Sequence, residues 1–141
     1  MRIKKYQDFE IWQYGHILIK EIYQLLLKDR IHRDFALCDQ IRRASISITA
    51  NFVEGFERDN NNEFIRFLLI SKSSANEVLD LLYSACSVGY LTEKEFYYFD
   101  KRLTELIKQI AGFIKYLKIQ RAHGHFTQHK LALHSSNQLI S

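Results

Sequence analysis

Residues 92–119, with the sequence TEKEFYYFDKRLTELIKQIAGFIKYLKI, contain the most regular hydrophobic pattern of the chain. Apolar side chains recur there at alternating steps of three and four residues: Phe96, Phe99, Leu103, Leu106, Ile110, Phe113 and Leu117. This spacing places them on one face of an α-helix, as in the seam of a helix bundle or coiled coil. Thr92 followed by Glu95 has the pattern of a capping box, so a helix is predicted over residues 93–119.

Three further helices are predicted before this one, over residues 8–28, 35–58 and 61–88. Asp8, Asp34 and Asn60 are the expected N-caps, since short polar side chains accept hydrogen bonds from the first free backbone N–H groups. In the first helix we expect one buried stripe, formed by Phe9, Trp12, His16, Ile19, Tyr23 and Leu26. A second apolar row flanks it, and we expect part of this wide surface to contact another subunit: Ile11, Leu18, Ile22 and Leu25.

The connection between the third and fourth helices is short. Gly89 suits the position just after a helix end, and Thr92 starts the next helix three residues later. So short a turn makes the two helices antiparallel. The absence of proline and the presence of only five glycines also favour helices over turn-rich β folds. The prediction is an all-α, antiparallel up-and-down four-helix bundle in residues 1–119, with a flexible or partly ordered tail over residues 120–141.

Composition limits the class of protein. Cys38 and Cys86 fall inside helical patterns without the spacing of metal ligands, which is typical of a reduced, cytoplasmic protein. The sequence shows neither a signal peptide nor an apolar run of about 18 residues, so neither export nor a membrane partner is expected. The net charge is +4, and every charged residue after Glu105 is basic. This asymmetry favours a polyanionic partner such as nucleic acid.

Lysines follow the outer face of the last predicted helix in steps of seven residues, as Lys94, Lys101, Lys108 and Lys115, and Lys118 and Arg121 extend the row. A helix rises about 1.5 Å per residue, so the stripe is about 30 Å long. One interpretation is a solvated face that keeps the protein soluble. The other is a surface that binds phosphate backbones, with Arg42 and Arg43 as additional candidates.

The second predicted helix carries a polar row beside its apolar face, with Arg43, Ser47, Asn51 and Glu54 as its central members. Partly buried polar groups need partners, so we expect bonds to neighbouring helices or subunits, with Glu77 of the third helix as a counterpart. The favoured interpretation is a polar lock that fixes helix register or assembly. The alternative is a ligand or catalytic site in which Glu54 and Glu77 converge.

No metal, cofactor or catalytic site is predicted. Imidazole is a common metal ligand, but four tail histidines lack nearby cysteines or acids: His123, His125, His129 and His134. Phosphate-binding glycine loops and zinc-ligand patterns are absent from the sequence. Trp12, Tyr97, Tyr98 and Phe99 have the chemistry to stack on bases, although aromatic residues at helical spacing more often form a core.

One stretch resembles a known family. Residues 40–55, QIRRASISITANFVEG, are followed by Ser74-Ala75-Asn76-Glu77 and by the turn Gly89-Tyr90-Leu91. Together they resemble the four-helix-bundle proteins encoded in intervening sequences of bacterial 23S ribosomal RNA genes, often called S23 ribosomal proteins. The similarity covers about residues 9–119. The resemblance implies a ring, typically a homopentamer, and a relative that assists the reverse transcriptase of diversity-generating retroelements through nucleic-acid binding. It implies no catalytic residues.

Two functions follow as hypotheses. The first is a non-enzymatic, ring-forming protein that binds RNA or DNA backbones through Lys101, Lys108, Lys115, Lys118 and Arg121. The second is a scaffold or accessory factor, for example for a polymerase, whose basic stripe only keeps the protein soluble. An enzyme is the third and least favoured alternative.

Overall fold

The computed structural model describes residues 5–122, which contain five α-helices and no strand. A short 3-10 turn, Tyr6–Asp8, precedes them. The helices are α1 (Glu10–Leu25), α2 (Asp29–His32), α3 (Phe35–Phe56), α4 (Asn61–Ser87) and α5 (Glu93–Ala122). The predicted all-α class is confirmed.

The four long helices pack side by side. α1 and α4 each contact both α3 and α5, so α1 lies diagonally across from α4, and α3 across from α5. Neighbouring helices are antiparallel: Ser47 of α3 lies beside Ser74 of α4, whereas Gly55, later in α3, lies beside Phe64, earlier in α4. Serine at the α3–α4 contact permits a close approach of the two helices. The buried Ser71 hydroxyl donates to the Ile48 carbonyl oxygen at 2.6 Å.

Aromatic rings fill one end of the core, where α1 and α4 begin and α3 and α5 end. Phe9 lies in edge contact with Phe52 and Phe56, at centroid distances of 5.2 and 5.4 Å. Phe64 contacts Phe113 in the same way at 5.3 Å. Edge contacts of this kind add a directional term to the apolar burial of the rings. Packed aromatic rings therefore fill this end of the core.

The prediction for the first helix was wrong in three respects. α1 begins at Glu10, its N-cap is Phe9 instead of Asp8, and no side chain caps it. The predicted 8–28 helix ends at Leu25, and the expected polar connector contains α2, whose Ile31 is fully buried. The flanking row, Ile11, Leu18, Ile22 and Leu25, provides the buried face together with Gly15, which was not predicted. The stripe predicted to be buried is partly solvent-accessible in its middle, since Trp12, Ile19 and Tyr23 are half-buried and His16 is exposed.

The other helix ends follow local signals. The Asp34 carboxylate accepts from the Leu37 N–H, and the Asn60 side chain accepts from the Glu63 N–H. Thr92 and Glu95 form both bonds of a capping box. These predicted N-caps are confirmed, although the Glu63 carboxylate pairs with Arg66 instead of completing a box at Asn60.

Gly89 also has the predicted role at the end of α4. Its φ of +86° is the left-handed conformation that glycine adopts without strain. The Tyr90 N–H donates to the Ala85 carbonyl and the Gly89 N–H to the Cys86 carbonyl, which is a Schellman motif. This motif reverses the chain and makes α5 antiparallel to α4.

At its far end α5 continues through Ala122, three residues beyond the predicted helix end at 119. The predicted tail beyond Ala122, with its four histidines, lies outside the described residues. Cys38 and Cys86 are free thiols, and burial raises the pKa of Cys38. Within residues 5–122, none of the helices combines the length and hydropathy needed to cross a bilayer.

Candidate functional site

The lysine stripe lies along the outer face of α5. The core residues of this helix, among them Leu103, Leu106 and Ile110, are fully buried on its inner face. Its five lysines are all exposed: Lys94, Lys101, Lys108, Lys115 and Lys118. The seven-residue step keeps the side chains on one face because it is close to two helical turns, with a spacing of about 10 Å. The predicted geometry of the stripe is thus present.

None of the stripe lysines forms an ion pair with a described carboxylate. Within the described chain, the ion pairs of lysine and arginine involve Lys28, Arg43, Arg58, Arg66 and Arg102, and none involves a stripe lysine. Acidic residues on α5 end at Glu105, so the following part of the helix carries only positive charge. Unpaired ammonium groups on a convex surface are well hydrated and accessible to a polyanion.

Arg121 differs from the lysines. Its guanidinium donates to Asn62 Oδ1 at 2.8 Å, which ties the end of α5 to the start of α4. An amide oxygen does not neutralise the charge, so Arg121 remains a cation at the end of the stripe.

The fold separates Arg42 and Arg43 from the stripe. Both lie on α3, diagonally across the bundle from α5. Arg43 pairs with Asp39 on its own helix at 2.9 Å. Half-buried Arg42 lies 5.9 Å from the ring centroid of Tyr23, a cation–π contact between α3 and α1. On the single chain, these arginines and the α5 lysines do not form a continuous surface.

The polar row of α3 lies along its edge with α4, and its bonds are mostly local. Ser47 and Ser74 hydroxyls are hydrogen-bonded across the two helices at 2.8 Å. The Asn51 amide donates to both the carbonyl and the hydroxyl of Ser47, each at 2.8 Å. Glu54 pairs with Arg58 one turn later. One cross-helix bond therefore belongs to the row, and its role in assembly stays a prediction.

Glu54 and Glu77 do not converge. From the Ser47–Ser74 pair, Glu54 lies seven residues towards the end of α3, and Glu77 three residues towards the end of α4. The helices are antiparallel, so these offsets add to about 15 Å along the bundle at ~1.5 Å per residue. Glu77 is exposed and makes no hydrogen bond or ion pair with another described side chain. The arrangement lacks the paired carboxylates expected of acid–base catalysis.

A polar cluster where α1 meets α5 was not predicted from the sequence. The Tyr98 hydroxyl donates to Glu21, and this bond raises the pKa of Tyr98. Arg102 lies over the Tyr98 ring, 3.7 Å from its centroid. Tyr98 is thereby fixed against α1, and Phe99 is buried in the core, so Tyr97 is the exposed, unengaged member of the Tyr97–Phe99 run. The difference between Tyr97 and Tyr98 depends on the position of α1 relative to α5, which the sequence does not contain.

The side chains suited to metal binding are dispersed. Across residues 5–122, histidine, cysteine, aspartate and glutamate do not form a cluster of three or more that would hold a metal ion.

Comparisons with known proteins agree with the geometry of the bundle. The model of the 23S rRNA-intervening sequence protein family matches residues 7–112. A crystal structure from Bacteroides thetaiotaomicron VPI-5482, of a protein with unknown function from the S23 ribosomal protein family, is 25% identical with a TM-score of 0.67. The alignment covers 74% of this chain and 98% of that chain. No curated protein matches. The chain belongs to the family of 23S rRNA-intervening sequence proteins.

Proposed function

We propose that this protein is a non-enzymatic, self-assembling helical bundle that binds nucleic-acid backbones through the lysine stripe of α5. The observation that supports the proposal is the row of exposed lysines, unpaired with any described carboxylate, along about 30 Å of one helix. A face kept only for solubility is commonly mixed in charge, with acids and bases interspersed. Beyond Glu105, this face carries cations alone.

The spacing of the cations suits a backbone and not a base sequence. Lysine side chains are flexible point charges that contact phosphate without the fixed fork of arginine. Contacts to phosphate position a protein on nucleic acid but carry no sequence information. We therefore expect binding to RNA and DNA without a preferred sequence.

Charge reversal of the stripe tests the proposal. In a gel-shift series at low salt, Lys108→Glu combined with Lys115→Glu should abolish retention of the nucleic acid. Lys5→Glu combined with Lys20→Glu is the matched control, because both are exposed lysines outside α5 and the pair changes the net charge by the same amount. Unchanged binding by the double variant, or an equal loss in the control, would assign the binding to another surface or to net charge alone.

Self-assembly has support in apolar residues on two sides of the bundle. Ile46 of α3 is 48% exposed and lies one turn after Arg42, which contacts Tyr23, so it is on the α1 side of α3. The half-buried Trp12, Ile19 and Tyr23 share one side of α1. Leu69 and Ile70 are exposed on α4, diagonally across from α1. A ring needs two different complementary patches on each protomer, because its contacts are head-to-tail.

Light scattering on the purified protein tests ring formation: a homopentamer has a mass of about 84 kDa, five times the 16.8 kDa chain.

A protein-binding scaffold is the second candidate function. The observation that favours it is the pair Leu27 and Phe35, which are 69% and 74% exposed near α2. Exposed large apolar side chains commonly mark a protein contact. The Lys108→Glu, Lys115→Glu variant separates the two functions, since it should leave capture of a protein partner intact while nucleic-acid binding is lost.

A further inference from the structure

A groove of about 690 Å³ lies where the end of α4 meets the beginning of α5. Its apolar lining includes buried Leu91 and half-buried Cys86 and Phe96. Tyr83 and Tyr97 also line it and are 61% and 63% exposed. An apolar groove with exposed aromatic rings offers stacking surfaces to a flat ligand.

The Tyr83 ring is held in place by its neighbour. It makes an edge contact with Phe96, with centroids 5.6 Å apart and ring planes at 77°. Phe96 itself packs against the core cluster. Tyr83 is therefore fixed on one side and open to solvent on the other. Because its ring is already ordered, a ligand that stacks on it would bind at little cost in side-chain entropy.

The charges in the groove indicate which part of a ligand enters it. Glu93 and Asp100 line the groove and disfavour a phosphate there. Their carboxylates are acceptors, which suit the amino and imino donors of an unpaired base. Lys94 also lines the groove and is the first lysine of the α5 stripe, with Lys101 about 10 Å further along. Phosphates would follow the lysines while a base occupies the groove.

We propose that this groove binds an unpaired nucleobase of a single strand whose backbone follows the α5 lysines. The inference rests on the proposed nucleic-acid function and specifies its substrate as single-stranded. A duplex keeps its bases paired and stacked, so it has none to place in the groove. Stacking on aromatic side chains beside a cationic track is the general means of binding single strands without sequence preference.

The test compares a fluorescein-labelled 20-nucleotide single strand with the duplex of the same sequence, by fluorescence anisotropy at fixed low salt. Tyr83→Leu with Tyr97→Leu should weaken single-strand binding about fivefold or more, because two stacking surfaces are lost. Duplex binding should stay within about twofold, since its phosphate contacts are kept. Tyr83→Phe with Tyr97→Phe is the matched control, which keeps both rings and should bind like the wild type.

Each result distinguishes the base site from the lysine stripe. If the leucine variant binds the single strand as the wild type does, or loses both ligands equally, the base site is wrong while backbone binding stands. If the wild-type protein binds neither ligand, the proposed function and the base site both fail. A 2-aminopurine base in the strand gives a direct second measurement: its fluorescence should be quenched by wild type and less by the leucine variant, and equal quenching would contradict the site. Circular dichroism melting checks that the variants fold.

Discussion

Gly15 lies where α1 crosses α3, and the contact leaves no space for a side chain. A Cβ atom there would lie 2.7 Å from the Thr49 Cγ2 methyl group. We expect Gly15→Ala to lower the free energy of unfolding by about 1–3 kcal/mol, since overpacking forces the helices apart. Thr49→Ser removes that methyl group and should restore part of the loss. Urea unfolding at fixed protein concentration measures both.

Gly112 is the matched control for this prediction. It is also inside a long helix, but a Cβ there meets nothing within 4 Å. Gly112→Ala should therefore stabilise the protein by about 0.5–1 kcal/mol through helix propensity. If Gly15→Ala stabilises the protein as much as Gly112→Ala does, α1 and α3 do not approach as closely at Gly15 as the structure shows.

His16 should make stability depend on pH. One face of its ring packs against the Trp12 ring, with 4.0 Å between centroids, while the rest of the side chain is exposed; desolvation on the packed face lowers its pKa below the usual 6.5. The unfolded state then binds more protons, so this contribution to stability is complete above about pH 6.5 and is lost as the pH falls. We expect the loss of unfolding free energy between pH 8 and pH 5 to be smaller in His16→Gln.

Nuclear magnetic resonance titration of the His16 ring checks the cause. The wild-type pKa should lie below 6.5, and Trp12→Leu should move it towards that value. A wild-type pKa at or above 6.5 would show that the ring is not desolvated against Trp12.

Among the elements, α3 begins at a junction that joins two distant parts of the chain. One Asp34 carboxylate oxygen accepts from the Leu37 N–H, and the other accepts from the Tyr90 hydroxyl at 2.9 Å. Asp34→Ala should cost about 1 kcal/mol through the lost cap and a further amount through Tyr90. Thermal melting and urea unfolding measure the total.

Asn60→Ala provides the comparison, because the Asn60 side chain caps α4 locally, by accepting from the Glu63 N–H. In a Tyr90→Phe background, Asp34→Ala should fall to the cost of the cap alone. If Asp34→Ala lowers the free energy of unfolding equally in both backgrounds, the hydrogen bond to Tyr90 does not contribute to stability.

The sequence predicted correctly those parts of the helices that are set by interactions between residues close in sequence. The N-caps at Asp34, Asn60 and Thr92 and the turn at Gly89 involve residues within three to five positions, so their patterns are present in the sequence itself. The buried face of α1 depends on the position of α3. Large side chains such as Trp12 and Tyr23 suggested the core, whereas close packing selected the row that contains Gly15.

Across the whole molecule, assembly should depend on the α1–α3 side. Ile46→Glu places a charge on the patch that Ile46 forms with Trp12, Ile19 and Tyr23, so burial at an interface becomes costly. We expect multi-angle light scattering to show smaller assemblies or monomers. Ile17→Glu is the control, on the opposite edge of α1. An unchanged mass in Ile46→Glu would exclude this side from the interface.

The candidate site was predictable where it lies on one helix. The seven-residue lysine spacing is visible in the sequence, and the fold leaves that face exposed. The separation of Arg42 and Arg43 from the stripe, and the presence of Tyr83 and Tyr97 in one groove, depend on which helices are neighbours. Tertiary packing sets these relations, and helical periodicity does not contain them.

Backbone binding by the lysine stripe is tested most directly by measuring the dissociation constant for a single-stranded oligonucleotide as a function of salt concentration. If three to five stripe cations per protomer neutralise phosphates, the logarithm of the binding constant should fall with the logarithm of salt at a slope of about −2 to −3.5. Lys108→Gln with Lys115→Gln, which removes the two charges without reversing them, should flatten the slope by about 1.4. A dissociation constant that does not change with salt, or a slope that is the same in the double variant, would contradict phosphate binding by the α5 lysines.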